Sequence, residues 1–145
     1  MYSTSMINER YFVECLAVTD EVVIEKFIVD IGAKYTCCHY RVINKFLKEE
    51  YFRGKEIKYI KYMGGLIRGE IVRFYKYSLK QFTIGSVDMG EQDIWITFDE
   101  RVTDIILGMD ILKRVITITN PYNQRMYFCK DAKDYYTNFV LSVNK

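Results

Sequence analysis

Ten residues, Phe27-Ile28-Val29-Asp30-Ile31-Gly32-Ala33-Lys34-Tyr35-Thr36, constrain this chain more than any others. An apolar run delivers one carboxylate and stops at once on a glycine and a small residue. An ionised carboxylate taken out of water must be paired, hydrogen-bonded or reprotonated, so a buried strand has no structural use for an acid at its end. Asp30 is therefore the first candidate for chemistry. The plainer account is an Asp-x-Gly turn closing a strand, because Asp and Gly are common turn formers.

Periodicity around this stretch predicts a sheet-rich chain. Tyr11–Val18 and Val22–Val29 read as strands joined by Thr19-Asp20-Glu21, a hairpin feeding the Asp30 loop. Val42, Ile43, Phe46 and Leu47 recur at helical spacing and predict a short helix over Arg41–Glu50. Strands are expected around Ile57–Met63, over Ile67–Tyr77, Leu79–Val87 and Ile94–Phe98, and a hairpin around Asn120-Pro121-Tyr122-Asn123. With 13 Tyr and 9 Phe in 145 residues the composition favours a sheet-rich globular protein, and nothing resembling a linker divides it, so one domain over 1–145 is expected. The tail 130–145 carries Tyr135, Tyr136, Phe139, Val140 and Leu141, and is expected to pack on the body or on a second subunit.

A second stretch gives Asp30 its context. Asp104-Ile105-Ile106-Leu107-Gly108-Met109-Asp110-Ile111-Leu112 is an apolar strand that ends in glycine and passes into a short helix. Asp-x-Gly-Ala near the start and Leu-Gly-Met-Asp-x-Leu near the end together resemble the retropepsin-like aspartic proteases, single-domain relatives of pepsin. Thr36 stands at a place where that family often has a hydroxyl, and Met63-Gly64-Gly65 is similar to its glycine-rich flap. Thr83-Ile84-Gly85 is similar to the strand entering its next hairpin. The resemblance covers about 23–128. It implies a mainly β fold, a small closed acid-protease barrel with one or two short helices.

The resemblance further implies peptide or protein substrates, no cofactor and no metal. Asp30 would be the catalytic residue. Ile31, Gly32, Ala33, Ile106, Leu107 and Gly108 would support its loop, and Met63, Gly64 and Gly65 would close over substrate. Hydrolysis by two carboxylates needs one ionised group to activate water and one protonated group to bond the carbonyl oxygen. Only one Asp-x-Gly-Ala occurs here, so the reading demands a homodimer that brings two copies of Asp30 together. One position departs from the family pattern: Ile31 stands where Thr or Ser is usual, and drops the hydroxyl that ties the two loops across the dimer. The alternative is an impaired, peptide-binding relative.

Other readings are weaker. Cys15, Cys37, Cys38 and Cys129 have no metal-binding spacing, and with no secretory signal they are expected as reduced thiols in a cytoplasmic protein. Cys37 and His39 would share a strand face, which makes a nucleophile pair a rival candidate. Asp88–Asp93 reads as a solvated hairpin tip and lacks the register of a calcium loop. Lys55, Lys58, Lys61, Arg68, Arg73, Lys76 and Lys80 alternate with aromatics as in a nucleic-acid-binding barrel, but a wet basic sheet face accounts for them as well. A net charge of +2 argues against a polyanionic partner, and no apolar run is long enough to span a membrane.

Overall fold

The computed structural model describes residues 1–62 and 70–137. Its strands are β1 (Tyr2–Ile7), β2 (Arg10–Val18), β3 (Val22–Val29), β4 (Cys37–His39), β5 (Ile57–Tyr62), β6 (Glu70–Leu79), β7 (Gln81–Ile84), β8 (Val87–Asp88), β9 (Gln92–Thr97), β10 (Ile106–Leu107), β11 (Ile116–Asn120) and β12 (Arg125–Cys129). Two one-turn helices, α1 (Met109–Leu112) and α2 (Ala132–Tyr135), complete it. The hydrogen-bonded path runs β11-β12-β1-β2-β3-β10-β4-β9-β6-β5, with β7 and β8 branching from β2. Among the described residues no ladder joins β11 to β5, so the mainly β fold is present but the closure of the expected barrel is not. Among the described residues the path ends instead on two edge strands, each paired on one side only.

β2 organises this path because it serves three neighbours. Phe12–Val18 pair with β3, its first two residues with β1 (Met6↔Tyr11, Ile7↔Arg10), and its last four with β7 (Cys15↔Ile84 to Val18↔Gln81). Val13, Cys15 and Ala17 are buried at period two, the alternation that lets one face of a strand meet the core. Phe27 of β3 and Phe82 of β7 meet edge-on beneath it, with ring centroids 5.6 Å apart and both side chains fully buried. A second cluster forms around Cys37, Val72, Phe74, Trp95 and Val102, on the side where β5, β6 and β9 pack against β4.

Two expectations need correction. The helix over Arg41–Glu50 is absent: two 3-10 turns, Tyr40–Val42 and Glu49–Phe52, stand at its ends. The side chain of Asn44 accepts from the Phe46 N–H at 3.0 Å, a local bond that competes with a helical one, and Phe46 is exposed. The strand expected over Leu79–Val87 is two, broken after Leu79 and turned at Gly85, whose φ is +56 and whose absent Cβ leaves room for the Tyr2 ring. β1 is a strand with no apolar run to signal it, and it is held on both edges, by β12 and by β2.

The Asn120–Asn123 hairpin is present. The first part of the tail packs on the body: the Met1 amino group lies 3.4 Å from Asp134, and Asp131 caps α2. Residues 138–145 lie outside the described residues. Replacing Phe82 by Ala is expected to cost about 3–5 kcal/mol of unfolding free energy, because an aromatic ring leaves the centre of the larger core; denaturant titration reads it.

Candidate active site

β3 and β10 run parallel, Ile28 beside Ile106 and Val29 beside Leu107. The Asp30 N–H continues this ladder one residue further, donating to the Leu107 carbonyl at 3.1 Å. There the strand stops. The Gly32 N–H donates to Asp30 Oδ1 at 2.9 Å, and the Ala33 N–H to the Asp30 carbonyl at 3.2 Å, so the carboxylate is held in a tight turn of its own backbone. A Cβ on Gly32 would lie 3.3 Å from that same oxygen.

This turn alone does not make a site. Asp88-Met89-Gly90 forms the same bond, Gly90 N–H to Asp88 Oδ1 at 2.8 Å, on the loop after β8. What distinguishes Asp30 is the structure behind it. Thr36, fully buried, donates its hydroxyl to Asp110 Oδ1 at 2.7 Å and accepts from the Gly108 N–H at 3.0 Å. The same Asp110 oxygen also accepts from the Thr36 and Ile111 N–H groups, both at 2.9 Å. The N–H groups of Met109 and Asp110 donate in turn to the carbonyls of Ala33 and Lys34. Gly108 permits the approach: a Cβ there would sit 2.5 Å from the Tyr35 backbone. Ile106, Leu107 and Gly108 thus brace the Asp30 loop from behind. The residues the sequence reading overlooked are Asp110 and the bonds of Thr36, signalled only by an acid directly inside the helix that follows the Leu-Gly strand.

In front of the loop lies a cleft of about 840 Å³. Asp30, Gly32, Ala33 and Ile106 line it, as do Asp104, Cys37 and residues 58–61 of β5. Ile31 sits at the tip of the turn with 74% of its surface exposed. The proposed flap residues Met63, Gly64 and Gly65 lie outside the described residues.

Cys37 and His39 do share β4, but they do not form a nucleophile pair. Burial, reinforced by the negative charges of Asp110, Asp104 and Asp30, pushes the Cys37 thiol up to about 12, so it stays protonated. His39 uses Nδ1 to cap the Arg41 N–H, and burial holds its pKa below the usual value against the opposing pull of Glu100. The basic residues of β5 and β6 likewise do not form one stripe. Lys58 lies opposite buried Phe74, whereas Arg73 lies opposite Tyr59 on the exposed face, and Lys76 is paired with Glu56 and Asp93.

The chain is similar to a solved retropepsin-like aspartic protease from Rickettsia conorii, with a TM-score of 0.58 over 88% of each chain and 16% sequence identity. At that identity the likeness establishes the fold, which is retropepsin-like. No family model and no curated protein matches the chain.

The bracing bonds are testable without an assay of function. Thr36→Val keeps the shape and removes the hydroxyl, stranding the Gly108 N–H and one of the bonds to Asp110. A loss of about 1–3 kcal/mol is expected in denaturant unfolding, with Thr36→Ser close to wild type.

Proposed function

We propose that this chain is one half of an aspartic endopeptidase, in which Asp30 from each of two copies forms the catalytic pair across a twofold axis. The observation that carries the reading is an Asp-Ile-Gly-Ala turn, on a retropepsin-like fold, fixed by β10 and opening onto a cleft bordered by an edge strand. Four consecutive residues of β5 line that cleft, and β5 pairs only with β6 among the described residues. An extended peptide laid along it would gain main-chain bonds as an added strand, with Met63-Gly64-Gly65 closing over it.

Two carboxylates about 4 Å apart repel by roughly 4 kcal/mol at an effective dielectric near 20. A pair at that distance therefore keeps one shared proton at working pH, the state in which one oxygen draws a proton from water and the other donates to the scissile carbonyl. Gly32 suits this arrangement because two such loops must meet face to face, and Ala33 adds little bulk. A reducing compartment such as the cytoplasm, in which the four cysteines stay thiols, is part of the proposal.

The mass in solution is expected to be twice the 17.3 kDa of the chain. Asp30→Asn is expected to lower cleavage of a denatured protein substrate about 10²–10⁴-fold while leaving that mass unchanged. A strictly monomeric particle, or undiminished cleavage by the variant, would sink the reading. Ile31→Thr exchanges apolar surface for a directional hydroxyl at the loop tip, and is expected to raise cleavage without tightening dimerisation; kcat/KM and sedimentation check the two effects separately.

A further inference from the structure

Lys58 is misplaced for a surface lysine. It lies opposite Phe74 in the β5–β6 ladder, and Phe74 is fully buried, so its side chain leaves the strand on the inner face together with that ring. Its ammonium stands 5.9 Å from the Tyr35 ring and 6.0 Å from the Trp95 ring, within range of both π faces. No carboxylate pairs with it among the described residues. A half-buried cation kept over two aromatic rings without a counter-ion forgoes the pairing that inner positions normally require.

The vacancy faces the cleft. Lys58 lines it together with Arg10, Lys34 and Lys61, and none of these four cations has an ion-pair partner among the described residues, although ion pairs are common elsewhere on the surface. The carboxylates on the same wall are Asp30 and Asp104, so cations outnumber anions four to two in a chain whose whole net charge is +2. Low-dielectric walls concentrate such a field on whatever enters.

We propose that the cleft selects acidic peptides, with Lys58 receiving a Glu or Asp side chain of the substrate and Lys34, Lys61 and Arg10 adding a general preference for negative charge. This specifies the substrate of the site assigned above and rests on that assignment for the identity of the site. Binding, however, is separable from cleavage. The carboxylate would take the place that a structural counter-ion occupies elsewhere, and the apolar lining from Ile28, Val29, Ile60 and Ile106 would hold the flanking residues.

The test uses full-length Asp30→Asn protein and fluorescent eight-residue peptides with a central apolar pair, in which one flanking position at a time is Glu, Gln or Lys. Anisotropy titration at low and moderate salt is expected to show at least one position where Glu binds about tenfold tighter than Gln, with Lys weaker still and the gap narrowing as salt rises. Lys58→Met, which keeps the aliphatic stem, is expected to erase the Glu-over-Gln ratio, and Lys58→Arg to retain it. Equal binding of Glu and Gln peptides at every position overturns the proposal, as does absence of peptide binding or an unchanged ratio in Lys58→Met. Displacement of the Glu peptide by micromolar oligothymidine also overturns it, in favour of a phosphate-binding cleft. Because the peptide comparison needs no variant of Lys58, a poorly folding Lys58→Met leaves it decisive. Acid-selective binding together with no cleavage by wild type would reject the protease and keep the specificity.

Discussion

One carboxylate oxygen, Asp110 Oδ1, fastens the segment after the Asp30 turn to the helix α1, far along the chain. It accepts three hydrogen bonds, two of them from Thr36 in the segment that follows the Asp30 turn, and Thr36 in turn holds the Gly108 N–H at the start of α1. Each of these bonds except the one to Ile111 spans more than 70 residues of sequence. Without these bonds, β10, only two residues long, would be kept behind Asp30 by its pairing with β3 and β4 and by backbone bonds alone. The turn would survive as a turn, with fewer side-chain bonds to fix its position relative to the cleft.

That distinction explains why the local motif is a poor guide by itself. Asp30-Ile31-Gly32 and Asp88-Met89-Gly90 make the same side-chain bond to the glycine amide, as Asp-x-Gly turns do wherever they occur. One closes a strand that is flanked by β2 and β10, bordering a cleft; the other rounds a loop tip where Asp88 also accepts from Gln81. Chemistry enters through the tertiary setting, and that setting comes from the parallel strand and from a glycine at which a side chain would collide with Tyr35.

Much of the site was therefore legible for an indirect reason. The apolar runs ending at Val29 and Leu107 carry strong strand signals, and β3 spans Val22–Val29 as read from the pattern alone. Their adjacency was suggested by resemblance, since no periodicity specifies which strands pair. Where local chemistry opposed the hydrophobic pattern, the pattern misled: Asn44 bonded its own loop, and Phe46 went to solvent instead of to a helix face. Where pairing on both edges compensated for a polar sequence, as in β1, the strand was invisible. Lys58 was hidden differently. In an alternating segment it reads as a wet-face lysine, and only the register opposite Phe74 turns it inward.

Ile31 separates two properties that a hydroxyl would join. Exposed over 74% of its surface, it is placed to be covered in the proposed pair, and full burial of such a side chain is worth about 1.5–3 kcal/mol against a net 0.5–1.5 kcal/mol for a typical hydrogen bond. Apolar contact there would thus contribute more to the proposed pair than the hydrogen bond it replaces. It is also non-directional, so it resists separation without resisting a slide of one loop along the other. A catalytic pair is sensitive to that slide, since a displacement near 1 Å is enough to cost about a hundredfold in rate. In the proposed pair the burden of aligning the two carboxylates would fall on the rigid backing of each loop, on Gly108, Thr36 and Asp110, and dimer strength would not need to track catalytic efficiency.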